Sequence, residues 1–204
     1  MDKQFHWETI YKDKQPNEVS WTQSTPSLSL KLIQNANPSK TANIIDVGGG
    51  ESLLVDYLLD LGFENLTILD ISKNALDRCK NRIGNKGKNL NWVVSDITEY
   101  HPETSFSIWH DRAVFHFLTE PTAIAKYKAN LLKTLSPDGE FIIGTFSTEG
   151  PKKCSGLDIK QYSEESLTDC FSPELEPIEF QREDHETPFH TIQNFVFGRF
   201  KRVN

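Results

Sequence analysis

The sequence predicts an α/β fold, in which buried strands alternate with amphipathic helices around a doubly wound, mostly parallel sheet. Residues 43–52 read NIIDVGGGES, an apolar strand that ends in an acid and three glycines, and an apolar stretch at helical spacing follows. Two further apolar runs, Leu66–Leu69 and Asn91–Ile97, lead to the acids Asp70 and Asp96. Strands that alternate with helical patterns in this way are typical of a parallel sheet.

The glycines after the first strand indicate a ligand site. Glycines between a strand and a helix let the backbone approach a ligand, because no side chain is in the way. Asp70 follows Gly50 by 20 residues, and an acid at that point can accept hydrogen bonds from two ribose hydroxyls. The pattern therefore predicts a pocket for a ligand that contains a nucleoside.

The glycine spacing disfavours a dinucleotide. A dinucleotide fingerprint requires a small residue three positions after the second glycine, and Leu53 stands there. A Walker loop is excluded because no Gly-Lys-Ser/Thr follows. A nucleoside without phosphates remains, and Asp96 is well placed to accept from an adenine amino group. A nucleoside-binding oxidoreductase that tolerates Leu53 stays open.

The glycine loop, Asp70 and Asp96, in this order, resemble the motifs of the class I S-adenosylmethionine-dependent methyltransferases. The resemblance implies a seven-stranded, mostly parallel sheet with a C-terminal antiparallel hairpin. It also implies S-adenosylmethionine as cofactor and S-adenosylhomocysteine as product. We expect the cofactor to be held by Trp21, Gln23, Asp46, Gly48, Gly49, Gly50, Asp70, Ile71, Asp96, Ile97 and His110.

The later elements continue the resemblance. The Leu135-Ser-Pro-Asp-Gly turn is close to the family's L-x-P-G-G turn, with Asp138 where the first glycine usually stands. The further predicted elements are a strand over Phe106–Arg112, a helix that starts at Thr119-Glu-Pro-Thr, a capped helix over Ser163–Phe171, and a hairpin of Ile178–Glu186 and Ile192–Arg202.

The chain predicts a single domain over residues 1–204, with residues 1–42 as an N-terminal helical cap. In similar methyltransferases this segment folds over the carboxyl edge of the sheet and covers the methionine end of the cofactor. Trp7 and Trp21 are then packing aromatics, or else Trp21 lines the pocket together with Gln23. Exclusion of water by such a lid would assist methyl transfer.

Candidate catalytic groups are expected at the end of the fourth strand, where His110 and Asp111 can orient a nucleophile or take its proton. An ion pair of Asp111 with Arg112, or a capping role, is the alternative. The segment lacks the Asn/Asp-Pro-Pro-Tyr/Phe motif of DNA amino-methyltransferases and release-factor glutamine methyltransferases.

His116 lies in an apolar stretch and is predicted to be a hydrogen-bonded core residue. Cys154 is expected in a loop, where neighbouring lysines would lower its pKa.

Bulk properties exclude several classes of partner. The net charge of −7 and the lack of a basic run argue against avid nucleic-acid binding. The first residues lack the apolar core of a signal peptide, and no stretch reaches membrane-spanning length. The 3 cysteines show no paired spacing, which suits a cytoplasmic protein, and the histidines match no metal-ligand spacing.

The predicted function is transfer of a methyl group from S-adenosylmethionine to a small-molecule acceptor. Because we expect this short domain to carry no added recognition module, it is more similar to small-molecule methyltransferases than to those acting on nucleic acids. A protein side chain as acceptor, and a non-catalytic protein that only binds the cofactor, are the alternatives.

Overall fold

The computed structural model describes residues 2–203; Met1 and Asn204, the end residues of the predicted domain, lie outside that range. Its strands are β1 (Ile44–Val47), β2 (Leu66–Asp70), β3 (Asn91–Val94), β4 (Phe106–Arg112), β5 (Leu135–Phe146), β6 (Lys153–Cys154), β7 (Leu157–Asp158), β8 (Leu175–Glu186) and β9 (Ile192–Arg202). Its α-helices are α1 (Lys3–Asp13), α2 (Ser27–Asn35), α3 (Leu54–Asp60), α4 (Lys73–Ile83), α5 (Pro121–Thr134) and α6 (Glu164–Phe171).

Seven strands form one sheet in the order β3-β2-β1-β4-β5-β9-β8. The first five strands pair in parallel, whereas β9 runs antiparallel to both β5 and β8. Strands β6 and β7 form a separate two-stranded ribbon. The predicted fold, a mostly parallel seven-stranded sheet with a C-terminal antiparallel pair, is confirmed.

Helices cover both faces of the sheet because each strand alternates its side chains between the two faces. Ile44 and Ile108 contact one core cluster, which also contains residues of α2, α3 and α4. Ile45 and Trp109 contact a second cluster, which contains residues of α5 and α6. The sheet is therefore doubly wound, as predicted.

Local capping explains where several helices begin. The side chain of Ser72 accepts a hydrogen bond from the Ala75 amide at the start of α4. Ser163 caps α6 in the same way through the Ser166 amide, as the sequence predicts. Helix α5 begins at Pro121 with Glu120 in the cap position, one residue after the predicted signal at Thr119.

The structure corrects three predicted strand bounds. β3 ends at Val94, before Asp96, because the Asp96 side chain accepts from the Thr98 amide and starts a 3₁₀ turn. β5 begins at Leu135, which pairs with Phe106, so the Ser-Pro-Asp-Gly segment follows the first residue of the strand rather than preceding it. β8 begins at Leu175, which pairs with Arg202.

None of the helices in residues 2–203 combines the length and the apolar character needed to cross a membrane.

Candidate active site

The loop between β1 and α3 requires glycine at two positions. Gly48 has φ +69° and Gly50 has φ +41°, a backbone conformation that other residues rarely adopt. A Cβ on Gly48 would lie 2.0 Å from Cγ2 of Val114, and a Cβ on Gly50 would lie 2.8 Å from Oδ2 of Asp70. The loop can pass this close to its neighbours only without side chains, as the sequence predicts.

A cavity of about 280 Å³ lies at the carboxyl ends of the parallel strands, the edge at which open α/β sheets bind ligands. Gly50 is not part of its wall, and packs against Asp70 instead. The structure brings the other predicted cofactor residues together around this cavity, which is lined by Trp21, Gln23, Asp46, Gly48, Gly49, Asp70, Ile71, Asp96, Ile97 and His110.

Asp70 ends β2 as a buried acid in the cavity wall. Its Oδ1 accepts from the Ser72 amide at 2.8 Å. Burial, together with the neighbouring acids Asp46 and Glu8, raises the pKa of Asp70 from 3.8 to about 7, although the hydrogen bond from the Ser72 amide lowers it. This carboxylate therefore changes charge close to neutral pH.

Asp96 and two isoleucines form a second part of the wall. Oδ1 of Asp96 accepts from both the amide and the hydroxyl of Thr98, each at 2.8 Å. Within residues 2–203, the two hydrogen bonds that the Asp96 carboxylate accepts are both made by Oδ1, so Oδ2 remains available to a ligand. Ile71 and Ile97 line the same cavity and give it an apolar surface suited to a flat ring.

His110 joins β1 and α2 through both ring nitrogens. Its Nδ1 lies 2.7 Å from Oδ1 of Asp46, and its Nε2 lies 2.9 Å from Oγ of Ser29. The three side chains are buried and belong to the cavity wall. Oδ2 of Asp46 is buried without a hydrogen-bond partner among the residues described. The arrangement fixes the ring of His110 and leaves one carboxylate oxygen for a ligand.

The prediction that Asp111 stands beside the acceptor disagrees with the structure. Asp111 alternates with His110 along β4, so its side chain lies on the opposite face of the sheet, away from the cavity. Its Oδ1 accepts from the Val114 and Phe115 amides, and its Oδ2 accepts from the Tyr127 hydroxyl at 2.8 Å. Asp111 thus caps the turn after β4, which is the capping alternative left open by the sequence.

The N-terminal segment covers the cavity with aromatic side chains. Trp7 packs edge-on against Trp21 and Phe117, with ring centroids 5.6 and 5.1 Å away, and all three line the cavity. Trp7 and Trp21 therefore pack together and line the pocket at the same time. Gln23 donates to Oε2 of Glu183 at 3.2 Å, which connects this segment to the C-terminal hairpin.

Glu8 attaches the same segment to α4, and the sequence alone gave no signal for this contact. The Glu8 carboxylate accepts from the hydroxyl of Ser72 at 3.0 Å and from the amides of Lys73 and Asn74 at 2.7 and 3.1 Å. These groups form the N-terminus of α4, where a negative charge is stabilised. The segment is thus held at the same helix that follows Asp70.

His116 and Cys154, which the sequence analysis singled out, are both buried. His116 is the predicted core histidine: its Nδ1 accepts from the Phe146 amide at 3.4 Å, and burial lowers its pKa to about 3. Cys154 lies in β6 and in the cavity wall, not in an open loop. Burial raises the pKa of the Cys154 thiol to about 11, so the expectation of a lowered pKa is wrong.

The hydrogen-bond acceptors and apolar side chains of the cavity fit the cofactor implied by the sequence resemblance. S-adenosylmethionine carries an amino group, ribose hydroxyls and an adenine ring, all of which call for acceptors or apolar walls. The cavity offers the unpartnered Oδ2 of Asp46, the acids Asp70 and Asp96, and the two isoleucines. Across residues 2–203, no cluster of three or more His, Cys, Asp or Glu side chains is suited to hold a metal ion.

Comparisons with known proteins give the same picture. Residues 44–139 match the family described as "Methyltransferase domain". Nodulation protein S of Rhizobium tropici is 29% identical over 114 residues, which are 56% of this chain and 47% of that protein. EEF1A lysine methyltransferase 2 of Danio rerio is 26% identical over 208 residues, which cover 95% of this chain and 79% of that protein. The chain spans about half the length of the nodulation protein.

A solved structure extends the similarity to the whole fold. The 1,6-didemethyltoxoflavin-N1-methyltransferase of Burkholderia thailandensis, with bound 1,6-didemethyltoxoflavin and S-adenosylhomocysteine, superposes with a TM-score of 0.74 at 19% identity. The match covers 98% of this chain and 87% of that one. With the strand order and the glycine loop, this similarity shows that the chain has the Rossmann-like fold of the class I S-adenosylmethionine-dependent methyltransferases, and residues 44–139 match a methyltransferase family.

Proposed function

We propose that the protein transfers a methyl group from S-adenosylmethionine to a small-molecule acceptor. The observation that supports this best is the course of one cavity. It runs from Asp70 and Asp96 past His110 to Arg112 and Cys154, beneath the covering N-terminal segment. A cofactor and a small acceptor can thus share one cavity that the N-terminal segment partly covers, which favours alignment of the two.

The cofactor is held by the acids at the strand ends. Asp70 accepts from the two ribose hydroxyls, Asp96 accepts from the adenine amine, and Ile71 and Ile97 pack on the ring. Oδ2 of Asp46, which is buried without a partner among the described residues, accepts from the amino group of the methionine part. S-adenosylmethionine supplies a methyl group that its positively charged sulfur has already activated.

The protein's own contribution is alignment and proton transfer through Ser29 and His110. In the neutral ring, Nδ1–H donates to Asp46 and Nε2 accepts from the Ser29 hydroxyl. An acceptor O–H or N–H that donates to Oγ of Ser29 passes its proton to this oxygen, while the Ser29 proton moves to Nε2. Asp46 then stabilises the imidazolium, so His110 acts as the base without touching the acceptor.

A protein lysine is the second candidate acceptor. The similarity to EEF1A lysine methyltransferase 2 of Danio rerio, over 95% of this chain, supports it. The covering aromatic residues argue against it, because a side chain on a large protein has to enter beneath Trp7 and Trp21.

Detection of S-adenosylhomocysteine release over a panel of acceptors tests the proposal. The panel contains small amines, phenols, thiols and carboxylic acids, and in parallel the protein EEF1A named for that relative. We expect release with a small molecule and a mass increase of one methyl group in that compound. Release with the protein alone would favour the lysine acceptor, and cofactor binding without any release would favour a non-catalytic binder.

Replacement of one loop glycine should abolish cofactor binding. In Gly50→Val, the new side chain would meet Oδ2 of Asp70 and adopt a strained backbone conformation. Gly62→Val is a matched control, because Gly62 also has a positive φ, +83°, but has open space around its Cβ position. We expect S-adenosylhomocysteine titrations to show binding in the control and none in Gly50→Val, with similar helical circular dichroism. Normal binding by Gly50→Val would show that the cofactor pocket does not lie at the glycine loop.

Cofactor affinity should rise with pH across neutrality. Asp70 has a pKa of about 7, and only its ionised form accepts two strong hydrogen bonds from ribose hydroxyls. Below this pH the carboxyl binds a proton that must leave on ligand binding, so affinity falls by up to about tenfold per pH unit. Calorimetry from pH 5.5 to 8.5, in two buffers of different ionisation enthalpy, measures both the slope and the released proton. The same slope in Asp70→Asn would contradict this assignment.

A further inference from the structure

Arg112 ends β4 on the same face as His110 and lines the cavity beyond it. Its Nη1 donates to the carbonyl oxygen of Trp21 at 3.0 Å, and its guanidinium carbon lies 4.7 Å from the centre of the Phe195 ring. Its Nε and Nη2 are buried and have no hydrogen-bond partner in residues 2–203. A buried donor group of this kind is rarely left unpaired in a folded protein.

The charge of Arg112 is also uncompensated at short range. Within the described part of the chain, no carboxylate oxygen lies within 4.0 Å of its guanidinium nitrogens. Glu183 acts on it from farther away, while Gln23 donates to the Glu183 carboxylate. Burial lowers the pKa of Arg112 to about 10. Arg199 is the contrasting case, since its nitrogens contact Glu140 and Glu179, each at 2.7 Å.

The two unpaired nitrogens form a specific recognition element. Nε–H and one Nη2–H point in parallel from the same edge of the planar guanidinium group, and this edge matches the two oxygens of a carboxylate. We propose that Arg112 binds a carboxylate of the methyl acceptor through this edge, so that the acceptor is an anionic small molecule. This proposal rests on the proposed methyl transfer and assigns its substrate class.

The position of Arg112 favours the acceptor over the cofactor as the source of the carboxylate. Arg112 pairs with Gly144 of β5, and β5 lies on the side of β4 away from β1. The glycine loop and Asp70 follow β1 and β2 on the other side. Arg112 also contacts the ring of Phe195 in the C-terminal hairpin, which contains none of the predicted cofactor residues.

The same charge argues against a lysine acceptor. An ammonium group placed beside a buried guanidinium would be repelled in a medium that screens charge poorly. A carboxylate instead gains a charge-assisted, bidentate contact.

Saturation-transfer NMR on the protein saturated with S-adenosylhomocysteine tests this inference with benzoate and its uncharged analogue benzamide as probes. We expect benzoate to bind at least about tenfold more tightly than benzamide, as a charge-assisted bidentate contact implies. The preference should disappear in Arg112→Met, should shrink in Arg112→Lys, and should persist in Arg182→Met. Arg182 is a suitable control because it pairs with Glu164 on the surface.

Each outcome has a defined meaning. Equal affinities for the two probes in the wild-type protein, or no benzoate signal, would overturn the inference even if Arg112→Met fails to fold. If Arg112→Met loses affinity for S-adenosylhomocysteine but retains it for 5′-methylthioadenosine, which lacks the amino acid part, Arg112 binds the carboxylate of the cofactor and the assignment is wrong. Failure of the wild-type protein to bind S-adenosylhomocysteine would instead refute the proposed function.

Discussion

Asp70→Ala is expected to weaken S-adenosylhomocysteine binding by about 10²- to 10⁴-fold. The variant loses two charge-assisted hydrogen bonds to the ribose, which contribute roughly 1.5–3 kcal/mol each. Titration calorimetry at pH 8, where Asp70 is ionised, gives the largest difference. Asp77→Ala serves as control, since Asp77 pairs with Lys73 on the exposed side of α4.

Asp70→Asn separates loss of the ligand contact from loss of the fold. The pKa of Asp70 is raised in the folded protein, so its ionised form destabilises the fold, fully so above about pH 7 and not at all below the unfolded value of 3.8. Unliganded Asp70→Asn should therefore melt at a higher temperature than the wild-type protein at pH 8, and this gain should shrink toward pH 4. An Asp70 variant that is folded and binds normally would contradict the ribose assignment.

His110→Ala is expected to lower turnover by about 10²- to 10⁴-fold, the usual effect of losing an acid–base group. Cofactor affinity should change much less than turnover, because the ring does not contact the predicted ribose and adenine subsites and its loss affects the cofactor only through Asp46. Single-turnover rates on an acceptor found in the panel measure the effect. A base also predicts a rate that falls at low pH in the wild-type protein and a variant without that decline.

Ser29→Ala distinguishes the relay from direct proton transfer. If Ser29 passes the proton to His110, both single variants and the double variant should lose similar amounts of activity, because groups that act as a unit are not additive. Additive losses would indicate that Ser29 and His110 act separately. Normal turnover by His110→Ala would show that the end of β4 has a structural role only.

The fold was predictable because its signals are local. Strands β1 and β2 are short apolar runs with an acid at or next to the last residue, and the glycine loop requires positive φ at Gly48 and Gly50. The capped helix α6 and the hairpin of β8 and β9 carry equally local signals. The residues around the cofactor part of the cavity follow from these strand ends, since the carboxyl ends of parallel strands meet at one edge.

The prediction for Asp111 was wrong because it assigned consecutive side chains at the end of β4 to the same face of the sheet. The side chains of β4 alternate, so Ile108, His110 and Arg112 share one face while Trp109 and Asp111 share the other. Period-two reasoning would have assigned Asp111 to the face covered by α5, where Tyr127 donates to it. The same reasoning would have put Arg112 beside His110 in the cavity.

The contacts of Ser29 and Glu8 could not be read from the sequence, because they join segments far apart in the chain. Ser29 lies 81 positions from His110, and Glu8 lies 64 positions from Ser72. A serine on an amphipathic helix and a glutamate on a polar one carry no signal of such partners. The pKa of Cys154 was likewise set by burial in the folded protein, which outweighs the opposing charge of Arg112.

Calorimetric titration of the wild-type protein with S-adenosylhomocysteine, and separately with NAD, tests the central claim most directly. The cavity, with its glycine loop and strand-end acids, predicts saturable one-to-one binding of S-adenosylhomocysteine and no heat with NAD. Binding of NAD in preference to S-adenosylhomocysteine, or no binding of S-adenosylhomocysteine by the folded protein, would contradict it.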